Sequence, residues 1–407
     1  MSTQKTFKSL PQPWMLQGAA RRVYDALTAQ GDAARFVGGC VRDALVGRKI
    51  NDVDIATPAQ PGRVIDLLTT AGIKSVPTGI EHGTVTAVVD GAPVEVTTLR
   101  RDVETFGRQA RVVFTDDWQQ DAARRDLTIN ALSCDLDGQV YDYFDGLADL
   151  TAGRVRFVGD PRARMKEDYL RILRFFRFHA SYATSELDAA AMAAARASCS
   201  QLAHLSGERL RQETLKLLKA PRGPETWERM LEAGIVAAYL PEATALPSLL
   251  GVVRREQALR IAPSAIRRLA SLLATKTDSL AVGTKLRLSR REQERLTGIA
   301  AGPEILLDLD PTAVRRLIYR YGNDLALDLI LVHSKSDEGM AAAVALTQDW
   351  QPPRLPVGGK DLGELGIQPG AAMGQWLALA ESWWIAGDFR ADRAACLDWL
   401  KLQMAES

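Results

Sequence analysis

Asp52 and Asp54 stand two residues apart in an apolar setting, Asp52-Val53-Asp54-Ile55. On a strand, residues i and i+2 point to one face, so the two carboxylates could together hold Mg²⁺ through hard oxygen donors. Upstream, Gly38-Gly39-Cys40-Val41-Arg42-Asp43 follows a run of strand character and opens one of helical character. Glycines at such a turn let phosphates approach backbone N–H groups, and a helix N-terminus favours the negative charge. A triphosphate beside two metal ions is the arrangement nucleotidyl transfer requires: one ion activates the attacking hydroxyl and the other stabilises the departing pyrophosphate. Each half alone has an ordinary explanation, since most double glycines are turns and Asp-x-Asp is common on solvated loops. Their tandem carries the reading, because two like charges between Val53 and Ile55 are costly to bury without a cation.

Two further groups could complete such a site. In Arg124-Arg125-Asp126-Leu127-Thr128-Ile129-Asn130-Ala131, Arg125 could bind phosphate or ribose bidentately. Asp126 and Asn130, at i and i+4, could reach sugar hydroxyls or brace the site; the plainer alternative is a charged helix start that Asp126 caps. In Glu167-Asp168-Tyr169-Leu170-Arg171-Ile172-Leu173-Arg174-Phe175-Phe176-Arg177, Asp168 and Arg171 would share a helical face that Arg174 and Arg177 continue. A helical salt bridge is the plainer explanation here. The chemical one is base reading: Asp168 accepts from the exocyclic amine of cytosine or adenine, Arg171 donates to ring acceptors, and guanine and uracil present a carbonyl that the carboxylate repels.

The elements around these groups have two textures. Ala33–Val37, Asp52–Thr57, Thr84–Val89, Val94–Leu99 and Gln139–Phe144 read as strands, with Asp90-Gly91 as a hairpin turn. Helical patterns flank them at Ala19–Gln30, Val41–Val46 and Pro61–Ala71. Beyond Asp160 helical periodicity takes over, at Tyr169–Tyr182, Gly207–Lys219, Pro224–Ala233, Pro263–Ala274, Arg290–Ala300 and Thr312–Tyr321. The expected fold class is α+β, with a small mixed sheet followed by helices.

At 407 residues, with 46% hydrophobic and 25% charged residues, the chain has a globular composition and is too long for one simple core. The net charge of +1 leaves a polyanionic partner to local basic patches. The four cysteines form no CxxC pair, which argues against zinc and for a reducing compartment. With no apolar run of signal-peptide or membrane-spanning length, a cytoplasmic protein without membrane contact is expected.

In this order the three groups resemble the bacterial-type (class II) tRNA nucleotidyltransferase and poly(A) polymerase family of the polymerase-β superfamily. The likeness includes Glu95-Val96-Thr97-Thr98-Leu99-Arg100 and Asp142-Tyr143-Phe144-Asp145-Gly146, and more loosely Ser206-Gly207-Glu208-Arg209, Leu231 to Pro241 and Gly358-Gly359-Lys360-Asp361-Leu362. It implies Asp52 and Asp54 as catalytic Mg²⁺ ligands and Gly38, Gly39 and Arg42 as nucleotide contacts. It further implies Arg125 as a sugar or phosphate contact with Asp126 and Asn130 beside it, Asp168 and Arg171 as base readers, and Arg174 and Arg177 as additional nucleotide contacts. Glu95 is a candidate third carboxylate, or a brace for Arg100 or Arg101. Arg101 to Gln120, with Asp102, Gly107, Arg108 and Asp116, resembles the family's flexible loop, which is linked to the switch from CTP to ATP.

The resemblance implies a nucleotidyltransferase head over residues 1–150, a helical neck over 151–225, a body over 226–350 and a tail over 351–407. The implied activity is addition of C, C and A to the 3′ end of tRNA from CTP and ATP, with no obligate protein partner. The tRNA would lie along the helices, where Arg254-Arg255, Arg267-Arg268, Lys285 to Arg291 and Arg315 to Arg320 are candidate phosphate contacts. None of the four histidines precedes an Asp, so the His-Asp phosphohydrolase set of some relatives is not expected. A poly(A) polymerase would use the same head. A catalytically inactive RNA-binding protein would show eroded carboxylates, and an enzyme nucleotidylating small molecules or proteins would not need the base-reading pair.

Overall fold

The computed structural model describes residues 5–8, 12–106, 109–273, 278–302 and 309–405. The chain forms two compact units, Met1–Pro241 and Glu242–Ser407.

Ten strands lie in the first unit: β1 (Lys5–Lys8), β2 (Arg35–Val37), β3 (Asp54–Thr57), β4 (Lys74–Gly79), β5 (Thr84–Val89), β6 (Ala92–Thr98), β7 (Arg100–Phe106), β8 (Gln109–Phe114), β9 (Ser133–Cys134) and β10 (Gln139–Asp142). Eight form one mixed sheet in the order β1-β10-β9-β2-β3-β6-β5-β4, and β7 and β8 form a separate two-stranded ribbon. Within the large sheet β3 and β6 run parallel, with Asp54 opposite Glu95 and Ile55 opposite Val96. The helices Gly18–Thr28 and Pro61–Thr70 pack on β5 and β6. Val85, Ala87, Val89, Val94 and Val96 are buried at alternate positions of those strands. Alternation in register therefore places Asp54 and Glu95 on the opposite face, beside Ala56. The Asp90-Gly91 hairpin is present: both residues have positive φ, at 52° and 80°, and Val89 pairs with Ala92.

Several expectations need adjustment. The strand expected from Asp52 starts at Asp54, so Asp52 lies in extended chain before it. β1, β4 and β9 were not anticipated: β1 lies ahead of the first expected strand, β4 is largely exposed and lacks alternation, and β9 has two residues. The stretch expected as a flexible loop contains the β7–β8 ribbon; its Gly107 and Arg108 lie outside the described residues, as does Ala274 of the expected helix Pro263–Ala274.

Helices complete the first unit. Leu170–Tyr182 buries Ile172, Leu173, Phe175, Phe176 and His179 and leaves Arg171, Arg174 and Arg177 at three-residue steps on its open side. At 100° per residue each step of three turns back by about 60°, so the arginines spread over a broad arc. Gly207–Lys219 and Gly223–Glu232 pack against this helix.

The second unit is helical, from Leu246–Ala258 to Arg393–Ala405, with one apolar cluster around Ile318, Leu329 and Ile330 and another around Leu362, Trp384 and Leu400. Its basic runs are mostly not free. Arg267 donates to Asp328 and Glu256, both at 2.7 Å, and Arg268 donates to Glu256 at 2.8 Å. Both arginines are buried, which excludes them as phosphate contacts. Arg295 donates to Asp328 at 2.5 and 2.9 Å. Arg255 is bound to Asp337 and to the Leu331 and Ser334 carbonyls, and Arg315 to Asp388. Sequence could not reveal this, because an arginine run looks alike on a solvated face and in a buried ion network. Asp328 is the shared acceptor, so Asp328→Ala leaves Arg267 without one of its two carboxylates and Arg295 unpaired; the expected loss is about 3 kcal/mol in urea unfolding followed by tryptophan fluorescence. An unchanged midpoint would refute the structural assignment of this network.

Candidate active site

β2 ends at Val37 and the chain turns through Gly38 into the helix Gly39–Leu45. Gly38 has φ 71°, and a Cβ there would meet Arg125 Nη1 at 2.8 Å, so only glycine serves both the turn and the approach of the guanidinium. Its N–H donates to the Leu132 carbonyl at 3.0 Å, tying the turn to the segment that carries Asn130. Arg42, on the following helix, is buried. It donates to both Asp43 oxygens at 2.9 and 3.0 Å and to Asn130 Oδ1 at 2.5 Å, and lies over the rings of Tyr182 and Phe178.

Asp54, at the head of β3, faces this turn. Its carboxyl is pushed up to about 6, first by burial, then by the Glu95 charge across the parallel pair, with Asp52 adding and Arg125 opposing. Asp52 itself is exposed and does not line the cleft. The Asp54 carboxylate, whose ionisation Glu95 and Asp52 oppose, supplies hard-oxygen donors of the kind a divalent cation takes. With the side chains as they stand, no three acidic, histidine or cysteine groups among the described residues close into a metal cage.

Arg124 to Ala131 is not the helix start its spacing suggested. The helix Trp118–Ala123 ends before it, and Thr128–Asn130 forms a single 3₁₀ turn. Asp126 and Asn130 nevertheless meet, with Asn130 Nδ2 donating to Asp126 Oδ1 at 3.0 Å. The segment is braced from below: Thr128 donates to the fully buried Asp149, and a Cβ at Gly146 would strike the Thr128 carbonyl at 2.2 Å. The Asp142 carboxylate in turn accepts from the Phe144, Gly146 and Leu147 amides. The Asp142–Gly146 motif thus seats the segment that holds Asn130.

Asp126 is buried and accepts Arg174 Nε at 2.6 Å. Burial works against its ionisation, but the Arg174 guanidinium and the bonds from Asn130 and the Leu127 amide outweigh it and hold the carboxyl well below the usual range.

Asp168 also departs from expectation. It lies between the helices Pro161–Glu167 and Leu170–Tyr182 in extended conformation, φ −155° and ψ 109°. Its Oδ1 accepts the Leu170 amide at 3.1 Å and its Oδ2 accepts Arg209 Nη2 at 2.6 Å. Arg171 donates through Nη1 to Glu167 and through Nη2 to the Arg124 carbonyl at 3.4 Å. The expected Asp168–Arg171 pair is thus two neighbouring groups, each with its own partner. Arg177 donates to Glu213, which also lies 3.7 Å from Arg174.

These side chains converge. Gly38, Gly39, Arg42, Asp54, Arg124, Arg125, Asp126, Asn130, Asp168, Arg171, Arg174 and Arg177 line one cleft of about 480 Å³ floored by Phe178. Of the expected set, Asp52 lies outside that lining, as does the candidate third carboxylate Glu95. No histidine lines it either; His179, pushed down to about 4 by burial and by Arg222, lines a separate cavity. Asp121, Arg209 and Glu213 were missed as residues of the site. Asp121 had a local signal, standing three and four residues before Arg124 and Arg125, whereas nothing local tied Arg209 or Glu213 to Asp168 or Arg177.

Residues 34–156 match the family model for the poly(A) polymerase head domain, and residues 186–246 match that for the probable RNA- and SrmB-binding site of polymerase A. The chain is 33% identical over 381 residues to mouse mitochondrial CCA tRNA nucleotidyltransferase 1, covering 90% of this chain and 86% of that protein. It belongs to the family of CCA tRNA nucleotidyltransferases and poly(A) polymerases. The CCA-adding enzyme of Levilactobacillus brevis is 32% identical over 390 residues, or 92% of this chain and 95% of that protein. The crystal structure of the Bacillus stearothermophilus CCA-adding enzyme in complex with CTP superposes with a TM-score of 0.74 at 26% identity, covering 97% and 98% of the two chains. Members of this nucleotidyltransferase family are generally metal-dependent, in keeping with the carboxylate cluster around Asp54.

That cluster has a stability consequence. Because the Asp54 carboxyl is raised in the fold, the native state keeps a proton that the unfolded chain has lost, and stability falls as pH rises from about 4 to about 6. Asp54→Asn removes this penalty. In the absence of divalent ions the variant should be more stable than the wild type by on the order of 1–3 kcal/mol at pH 8, after allowance for partial exposure, with no gain at pH 4. Thermal melts at the two pH values test this; an equal effect at both would contradict it.

Proposed function

We propose that this protein adds C, C and A in turn to the 3′ end of tRNA, using CTP and ATP and releasing pyrophosphate. The observation that carries the reading is the convergence in one cleft of a glycine turn, the Asp54 carboxylate, Asp168 and Arg171, in a chain related over most of its length to CCA-adding enzymes.

The proposed roles follow from position. Gly38 and Gly39 admit the triphosphate close to the backbone, with Arg125 beside it to bind phosphate or ribose. Arg42, Asp126 and Asn130 form the wall of interlocked polar groups that fixes Arg125 and Arg174. Asp168 accepts the exocyclic amine of cytosine or adenine, and Arg171 donates to the ring. Both keep capacity for this, since a carboxylate oxygen accepts more than one bond and no bond among the described residues engages Arg171 Nε. Mg²⁺, which Asp52 and Asp54 would hold, would activate the RNA 3′-hydroxyl for attack and neutralise charge on the leaving pyrophosphate. Asp52, two residues before Asp54, would have to turn its exposed carboxylate toward Asp54 to share the ion. The proposed parts are the head over 1–150, the neck over 151–225, and a body and tail over 226–350 and 351–407 that hold the RNA. The four cysteines are free, and no helix among the described residues is long and apolar enough to cross a membrane. A cytoplasmic location is proposed on that basis, although the mouse relative is mitochondrial by name.

A second reading has one observation behind it, for the matching head and RNA-binding models are both described from poly(A) polymerases. Purified protein with Mg²⁺, offered tRNA transcripts ending before C74, after C74 and after C75 with single labelled nucleotides, separates the two. CCA addition predicts two C residues, then one A, then arrest. Continued A addition to unrelated RNA would replace it with the poly(A) reading. Arg171→Ala should lower CTP and ATP incorporation by about tenfold or more while UTP and GTP change little; an unchanged preference would remove Arg171 from base reading.

A further inference from the structure

The helix Gly223–Glu232 carries Arg222, its N-cap, and Glu225, Thr226 and Arg229 at i, i+3, i+4 and i+7, the spacing at which a packed helix ordinarily shows an apolar stripe. Here that stripe is polar, while Trp227 and Met230 fill the core beside it. The four residues and Glu228 line a cavity of about 260 Å³ together with His179 of the helix Leu170–Tyr182 and with Glu186 and Leu187 of the segment that follows it. It shares no lining residue with the nucleotide cleft.

The deep end of this cavity is neutral and under-bonded. His179 is 4% exposed and Thr226 2%, and neither His179 Nδ1 nor Thr226 Oγ1 has a hydrogen-bond partner among the described residues. Buried polar atoms of folded proteins are nearly always paired, so two unpaired ones on a single cavity call for an occupant that can hydrogen-bond. Burial, and then the Arg222 charge, push the His179 imidazole down to about 4, so it stays neutral at ordinary pH. A charged group sent to this end would find no opposite charge there, whereas an amide or a hydroxyl would find both a donor and an acceptor.

The remaining lining carries both signs. Arg222 donates through Nε to Glu225 at 2.9 Å and through Nη1 to the Ala183 and Ser185 carbonyls, both at 3.1 Å; no bond among the described residues engages its Nη2. Arg229 is bonded through Nη1 alone, to Glu232 at 3.1 Å. No hydrogen bond among the described residues engages the carboxylates of Glu186 and Glu228, and after Glu232 these are the charges that act on Arg229. A simple anion would meet the two glutamates, and a simple cation the two arginines. A ligand with one charge of each sign satisfies both sets. At about 30 Å³ for each water, the space corresponds to roughly nine waters, or a molecule of about as many heavy atoms.

We propose that this cavity binds a free α-amino acid with a short neutral polar side chain. Its carboxylate meets Arg222 and Arg229, its ammonium meets Glu186 and Glu228, and its side-chain amide or hydroxyl reaches His179 and Thr226. The proposal is independent of the nucleotidyl-transfer reading, because none of these residues lines that cleft.

Isothermal titration calorimetry of the full-length protein with L-asparagine tests it, with L-glutamine and L-serine beside it. The expected result is saturable binding of asparagine to a single site. Succinamate, which lacks the ammonium, and β-alaninamide, which lacks the carboxylate, should each bind at least about tenfold more weakly, the scale of one charge-assisted hydrogen bond. Glu186→Gln and Arg229→Gln, both at exposed positions, should each weaken asparagine by about tenfold. Thr226→Val keeps the shape of the side chain and should weaken it by about threefold or more without lowering the melting temperature, since the hydroxyl it removes has no partner in the fold. Wild-type protein that binds none of the three amino acids overturns the proposal and leaves a solvated polar gap. An affinity that survives loss of either ligand charge overturns the zwitterion assignment, and one that survives all three substitutions overturns the location.

Discussion

Six arginines, Arg42, Arg124, Arg125, Arg171, Arg174 and Arg177, share one cleft of about 480 Å³, and the rest of the site depends on how that charge is held. Each has a carboxylate at its side: Asp43 for Arg42, Asp121 for Arg124 and Arg125, Glu167 for Arg171, Asp126 for Arg174 and Glu213 for Arg177. Without these partners the guanidiniums would repel one another and fold back into solvent. With them, each planar fork is held in one direction while part of its donor capacity stays available to a nucleotide. Phe178 adds a shared floor, lying 5.0, 5.3 and 4.0 Å from the guanidinium carbons of Arg42, Arg174 and Arg177. The cleft therefore presents an array of oriented guanidinium donors whose charge is largely matched by the carboxylates that hold them.

The two aspartates nearest the reaction are held in opposite states by the same means. Asp126 is buried against Arg174 and stays ionised, whereas Asp54 is buried against Glu95 and Asp52 and resists ionisation. The first is a finished structural contact. The second carries a stability cost that grows with pH, so one residue type is held in two states by its neighbours.

Much of this was legible in the sequence, and the rest was hidden for identifiable reasons. The glycine turn, the Asp54 carboxylate and the arginines of the Leu170–Tyr182 helix were readable because their spacing reports local geometry. The strand was placed two residues early at Asp52, where extended chain continues the pattern without belonging to the ladder. Asp168 was assigned to the helix it precedes, because i,i+3 spacing does not show where a helix begins. Partners such as Arg209 and Glu213 lie far along the chain, and tertiary packing alone brings them to Asp168 and Arg177. The basic runs misled most, since Arg267 and Arg268 look like phosphate contacts until their burial is known.

The central claim is that this protein selects a nucleotide with its own side chains and no template. The most direct test is equilibrium binding of all four ribonucleoside triphosphates to the wild-type protein in Mg²⁺ with no RNA present. The account predicts that CTP and ATP bind at least about tenfold more tightly than UTP and GTP, the discrimination available to one well-placed bidentate contact. Equal affinity for the four, or a preference that appears only when tRNA is added, would contradict it.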